Sequence, residues 1–177
     1  MGDKMTLTSS QLTLVKAEID ANTDLNSLPD NTDGDIEIAR LLSLDDTPSY
    51  WVWKTNVPTA DLLDSIVGES LITLPTDKGT GLNTLVVSHA GNGFNPSIAG
   101  NRDIFLDPSG QDGLFTGGTN SNPTTRTQVE ALFKRLALRV ERVLATNTTT
   151  GTEGSPDNLD FEGKISSTDV RTARNLP

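Results

Sequence analysis

Hydrophobic residues recur at helical spacing in two strong stretches, one near each end of the chain. In the first stretch, Leu12 and Val15 lie on one face of a helix that the spacing predicts over about 9–21. Thr8 and Gln11 form a capping box at its start, because the Thr8 side chain can accept from the Gln11 amide while Gln11 reaches back. The N-terminal helix is therefore delimited by local chemistry as well as by periodicity.

The second stretch predicts a long amphipathic helix over 124–145, whose basic residues lie largely off the apolar stripe. Pairing of this basic face with acidic protein surface is favoured, and phosphate binding is the alternative.

A short extended segment, YWVWK, should point both of its tryptophans the same way. For the two tryptophans an exposed aromatic docking patch is the alternative to a place in the core. The residues expected to anchor the core are Trp51, Trp53, Leu132, Phe133, Leu136 and Val140.

Shorter helices are predicted over about 34–44, from Pro58 through Ile66, and after Ser166 at the C-terminus. The last of these has Ser166 as its cap and Asp169 three residues later, and it should run for about two turns. A helix this short is marginal alone in water, so it needs a surface to lie on.

The stretch 75–123 has a different character, because glycine, proline, asparagine and threonine dominate it and apolar periodicity is weak. A Thr/Gly linker follows residue 145. The sequence therefore predicts a mainly α protein: a small helical bundle domain over 1–145 with a long irregular Gly/Asn-rich middle insertion at about 75–123. A linker and extended C-terminal docking arm, ending in a short helix, should occupy 146–177.

Composition limits the size of the core and the class of partner. Hydrophobic residues make up 34% and aromatic residues 5% of the chain, against roughly 45 to 50% apolar in ordinary domains, a figure that also counts glycine. We therefore expect too little apolar material to join the two ends, so that neighbouring molecules complete the fold. The net charge of -10 disfavours general nucleic-acid binding.

Compartment signals are few. The chain contains no cysteine, which suits a reducing compartment, and the opening MGDKMTLTSS lacks the basic and apolar regions of a signal peptide. No apolar run approaches the roughly 18 residues of a membrane span. We therefore expect no membrane association and no secretion through a signal peptide.

Enzyme signatures mostly fail. The sequence has no G-x-S-x-G elbow, P-loop or G-x-G-x-x-G motif. His89 follows Ser88, but adjacent residues do not face each other on a helix or strand, so a structural histidine is favoured. The acidic pair at 45–46 and the pair Asp61/Asp64 could be imagined as a glycosidase acid and base. In so acidic a chain, solvated surface carboxylates are the better interpretation.

The stretch from Asn158 to Asp169 superficially resembles a calcium loop. Its first, fifth and twelfth ligand positions are substituted, and no helix leads into it, so a capped turn is favoured. We expect no catalytic residue, no metal and no cofactor.

Three segments together resemble a family of small tailed-bacteriophage virion structural proteins encoded near portal and capsid genes. They are LTSSQLTLVKAEIDAN, YWVWKTNVPTADL and ALFKRLALRVERVLATNTTTGTEGSPDNLDFEGKISSTDVRTARNL. The resemblance covers roughly 1–63 and 124–177, and its most specific part is FEGKISSTDVRTARNL. The middle of the chain departs from the family, being richer in Gly, Asn and Asp. No catalytic residues come with this resemblance.

The resemblance implies a head-to-tail connector adaptor, present in the virion and, during assembly, in the host cytoplasm. Such a homo-oligomer would form a ring of about 12 copies under the portal. It would contact the portal protein and tail or nozzle proteins, without specific nucleic-acid binding. A capsid decoration or cement protein, gripping through 91–123, is the alternative, and a virion-associated glycan-cleaving enzyme is a minor one. The residues expected to bind the portal or a neighbouring subunit are Phe161, Ile165, Val170, Arg171, Arg174 and Leu176.

Overall fold

The computed structural model describes residues 7–66, 68, 74, 76–106, 114, 123–145 and 151–177. The fold of the described residues is mainly helical, as the sequence predicted, with a small two-stranded sheet. In chain order the elements are α1 (Ser9–Ala21), α2 (Thr23–Asn26), α3 (Thr32–Leu42), β1 (Trp51–Trp53), α4 (Thr59–Asp64), α5 (Thr76–Ser88), α6 (Ala99–Leu106), α7 (Pro123–Phe133), β2 (Lys134–Leu136), α8 (Arg139–Leu144) and α9 (Ser167–Arg174).

The chain divides into two compact units. The N–C unit comprises Met1–Val52 and Leu136–Pro177, and the middle unit comprises Trp53–Arg135. This division differs from the boundary at 145/146 expected from composition, because the C-terminal segment packs with the N-terminal helices. Within the expected middle insertion the described residues include α5 and α6, whereas 107–113 and 115–122 lie outside the described residues, as does the start of the expected linker, 146–150.

The strands β1 and β2 pair with each other. The Lys54 N–H donates to the Phe133 carbonyl at 2.8 Å, and the Ala137 N–H donates to the Tyr50 carbonyl at 2.8 Å. Because the residue number rises on one strand as it falls on the other, the pairing is antiparallel.

The prediction of one continuous helix over 124–145 is wrong. Helix α7 ends at Phe133, and the chain continues as β2 and then as the separate helix α8. The backbone groups of Phe133 and Ala137 bond to the β1 segment instead of to positions four residues away in a helix. Long-range strand pairing thus overrides the local helical spacing.

The extended segment at the tryptophans is confirmed as β1, and its side chains alternate. Val52 is fully buried, whereas Trp51 and Trp53 are half-buried. Of the other expected anchors, Phe133 and Val140 are fully buried, and Leu132 and Leu136 are half-buried.

The middle unit is built around stacked aromatic rings. Phe133 stacks on Phe94 with a centroid distance of 5.3 Å and meets Phe105 edge-on at 5.8 Å. Phe94 and Phe105 are themselves edge-to-face at 5.2 Å. Such pairs add stabilisation beyond the area that they bury.

The core of the N–C unit draws on both ends of one chain. Its short helices each supply only one to three buried apolar residues, but they combine into a single cluster. The expected shortage of apolar material joining the two ends therefore does not hold within this unit. The buried members are Leu7, Val15, Ile19, Leu25, Ile38, Ala39, Leu42, Val140, Leu144, Phe161, Ile165, Val170 and Ala173.

Candidate functional site: the seat of the C-terminal helix

Helix α9 begins and ends as its sequence predicts. The Ser166 hydroxyl accepts from the Asp169 N–H at 3.2 Å, and the Asp169 carboxylate accepts from the Ser166 N–H at 3.1 Å. These are the two reciprocal bonds of a capping box. The helix lies against α1 and α3, and its Val170 and Ala173 side chains are fully buried there.

A single carboxylate ties α9 to α3. Asp35, whose side chain is only 3% exposed, accepts hydrogen bonds from Arg171 Nε and from Arg174 Nη1, the latter at 3.1 Å. Arg174 also donates to the carbonyls of Pro29 at 2.9 Å and Leu28 at 3.1 Å. Two cations therefore share one nearly buried anion, and the helix is fixed by charge as well as by apolar contact.

A second buried carboxylate holds the chain just before α9. Glu141 is 1% exposed and accepts from the N–H groups of Leu138 and Gly163, both at 2.8 Å. Gly163 has φ +117, in the region that side chains with a Cβ rarely adopt. This glycine lets the backbone present its N–H to Glu141 between the buried residues Phe161 and Ile165.

The six residues expected to bind a partner all belong to this seat. Phe161, Ile165 and Val170 are buried in the core of the N–C unit, where a partner cannot reach them while the unit is folded. Arg171 and Arg174 are engaged by Asp35, as described above. Leu176 is half-buried just past the helix, where its N–H donates to the Ala173 carbonyl at 3.1 Å.

Sequence reasoning missed Asp35, although a signal was present. Asp35, Ile38, Ala39 and Leu42 follow the spacing i, i+3, i+4, i+7, and all four are buried. An acidic residue on an apolar stripe predicts a buried charge that needs a cation. The location of that cation, 136 residues away in sequence at Arg171, had no local signal.

The outward side of α9 is polar and open. Thr168 and Thr172 are exposed, and the Thr172 hydroxyl donates to the Thr168 carbonyl at 2.8 Å. Together with Thr32, Ser167 and the edge of the Arg171–Asp35 pair they line an open cleft of about 270 Å³. This surface, unlike the buried side of the helix, is available to another molecule.

Residues considered for chemistry have structural surroundings. His89 Nδ1 lies 3.0 Å from the Leu85 carbonyl and 3.0 Å from Ser88 Oγ, and its ring leans on Phe94 at 5.6 Å. The imidazole, in the turn after α5, is thus tied to the end of that helix and to the aromatic core of the middle unit.

The carboxylates that were candidates for a glycosidase pair differ in their surroundings. Asp46 is nearly buried and pairs with Arg142, whereas Asp61 and Asp64 are exposed on α4. In the calcium-like stretch, Asp169 caps α9. Across the described residues there is no group of three or more His, Asp or Glu that could hold a metal ion. No described helix is long and apolar enough to cross a membrane.

Comparison with family models, with curated proteins and with solved structures found no match to this chain.

Proposed function

We propose that this chain is a structural protein of a tailed-bacteriophage particle, and within it a head-to-tail connector adaptor that forms a ring under the portal. The starting point is the resemblance of 1–63 and 124–177 to small virion proteins. One observation carries the proposal: most of these two separated parts, residues 7–52, 136–145 and 151–177, fold into one compact unit with a common core. Segments that share a core act as one body.

Helix α9 is the element proposed to meet the portal. Its inner side is held by Val170, Ala173 and Asp35, so its position is fixed before any partner arrives. Its outer side presents Thr168 and Thr172 beside an open cleft. A polar surface on a rigid support suits a contact that forms between subunits that are already folded.

The charge of the N–C unit supports a protein partner over DNA. The unit contains 16 acidic and 8 basic residues, so as a body it repels phosphate. In a connector, such a surface also lets DNA pass without binding to the wall.

Copy number and position in the particle test the proposal. Quantitative mass spectrometry of purified tailed particles should find about a dozen copies, as expected for one cyclic ring. Labelling with an antibody should place them at the vertex that carries the tail. Hundreds of copies spread over the head would identify a cement protein instead, and absence from the particle would refute a structural role.

A substitution on the outer side of α9 tests the portal contact itself. Deleting the C-terminal arm would remove Val170 and Ala173 from the core, so loss of binding would not distinguish contact from unfolding. Thr172→Arg leaves the core intact and should reduce co-purification with the portal protein. Thr13→Arg is the matched control, because Thr13 is also exposed in a helix and also donates to the carbonyl four residues earlier. Equal binding by both variants would contradict a contact through α9.

A further inference from the structure

The middle unit contains an open cleft between β1, α6 and α7 that the proposed function does not use. Its volume is about 230 Å³. An aromatic ring, two arginines and two carboxylates converge on it from three separate elements. The lining residues are Trp53, Arg102, Asp103, Leu106, Arg126 and Glu130.

Arg102 lines this cleft, and no carboxylate among the described residues pairs with it. Its guanidinium carbon lies 4.4 Å from the centroid of the Trp53 ring. Its Nη1 donates to the carbonyls of Pro96 at 2.7 Å and Ser97 at 2.8 Å. Burial lowers the pKa of Arg102. The negative charge of Asp103 acts in the opposite direction but is the smaller effect. The cation is thus positioned and partly desolvated, with neutral groups as its hydrogen-bond partners.

Arg126 lines the same cleft and also donates to a neutral group. Its Nη2 donates to the Leu106 carbonyl at 3.2 Å, and within the described part of the chain it forms no ion pair. Arginines elsewhere in the described chain do pair with carboxylates, among them Arg40, Arg139, Arg142, Arg171 and Arg174.

We propose that this cleft binds a carboxylate group, held between the guanidinium groups of Arg102 and Arg126 with its adjoining methylene on Trp53. Arginine presents a planar fork that matches a carboxylate. Glu130 already pairs with Lys134 Nζ at 2.7 Å, so the rim charge that opposes an anion is mainly that of Asp103, and it disfavours a doubly charged phosphate more than a singly charged carboxylate. Leu106 and the Trp53 ring supply apolar wall for a short aliphatic stem. The ligand class is therefore an acidic side chain or chain end of a polypeptide, or a small free carboxylate.

The test is a titration of the full ¹⁵N-labelled chain, followed at the Trp53 indole N–H and the Arg102 Nε–H. The probe is the peptide acetyl-Ala-Glu-Ala-amide, and acetyl-Ala-Gln-Ala-amide is its neutral match. Acetate and inorganic phosphate are compared at equal ionic strength. We expect saturable shifts with the Glu peptide and none with the Gln peptide, and weaker binding of phosphate. Acetate binding as tightly as the Glu peptide would support the site and identify a small carboxylate as its ligand.

Variants decide whether the arginines carry the binding. Arg102→Gln and Arg126→Gln should each weaken the Glu peptide about tenfold, the usual scale for a hydrogen bond between charged groups in a partly open site. Arg40→Gln removes the same charge from an exposed position in the N–C unit and should change nothing.

A variant of the rim residue Asp103 tests the proposal even if the arginine variants misfold. Asp103 is exposed, so Asp103→Asn should fold normally, and it should tighten binding about threefold by removing a repulsive charge. Equal shifts with the Glu and Gln peptides, tighter binding of phosphate than of the Glu peptide, or unchanged affinity in Asp103→Asn would each overturn the proposal.

Discussion

Removing the charge of Asp35 should destabilise the N–C unit more than removing any other carboxylate charge on helix α3. Asp35→Asn keeps the size and shape of the side chain but leaves Arg171 and Arg174 around a neutral group. Breaking a buried ion pair by removing one partner costs about 3–5 kcal/mol. The Arg171 side chain is 39% exposed, against 13% for Arg174, so water can solvate the Arg171 charge and reduce this cost. We therefore expect a loss of about 2–3 kcal/mol in the free energy of unfolding.

The two arginines should contribute unequally. Arg171→Gln removes the more exposed cation and leaves Asp35 bonded to Arg174, so its cost should be about 1 kcal/mol. Combining it with Asp35→Asn should cost less than the sum of the two single changes, because both act on one shared network. Strict additivity would mean that Arg171 and Asp35 do not interact in solution.

The assay is urea unfolding at neutral pH, followed by circular dichroism, with hydrogen exchange of the α9 amides as a readout specific to this helix. Asp33→Asn is the matched control, since Asp33 is exposed in the first turn of the same helix and the effect of the helix dipole is shared. If the two variants unfold within about 0.5 kcal/mol of each other, the Asp35 network does not hold α9 and the reasoning fails.

Two further changes test the remaining contacts of the seat. Val170→Ala leaves a cavity in the core and should lower the free energy of unfolding in urea by about 2 kcal/mol. Thr172→Ala, on the exposed side, should change it by less than about 0.5 kcal/mol. Similar values for the two variants would argue against burial of Val170. Gly163→Ala forces a Cβ into a positive-φ position and should cost about 1–3 kcal/mol. Gly154→Ala is its control and should be nearly neutral, because a Cβ meets nothing within 4 Å at either glycine but the φ of Gly154 is not positive. A neutral Gly163→Ala would show that the backbone can rearrange there.

Local chemistry made the ends of the chain predictable. The capping boxes at Thr8 and Ser166 each close within three residues, and the structure places α1 and α9 where the sequence predicted them. Apolar spacing and turn residues likewise predicted α3 and β1 to within a few residues. Each of these signals depends only on neighbours along the chain, so no knowledge of the tertiary fold was needed.

Long-range pairing explains what the sequence did not reveal. The break between α7 and α8 follows from strand bonds to Tyr50 and Lys54, more than 70 residues earlier in the chain. Asp35 lies on the apolar stripe of α3, a signal that the sequence analysis did not use, and its partners Arg171 and Arg174 were expected to bind the portal or a neighbouring subunit. Asp35 and Arg171 lie 136 residues apart in the sequence, and only the fold brings them together.

The antiparallel register of β1 and β2 gives a direct test of the division into two units. The Ala137–Tyr50 and Lys54–Phe133 backbone bonds set this register, so replacing residues 53–134 by Asn-Gly joins the strands through a two-residue turn whose twist suits a hairpin. The shortened chain keeps every buried residue of the N–C core, so it should unfold cooperatively in urea with its helical signal intact. Asp35→Asn should cost the shortened chain the same free energy as the full chain, within about 0.5 kcal/mol. A shortened chain without a cooperative transition would show that the N–C unit depends on the middle unit to fold.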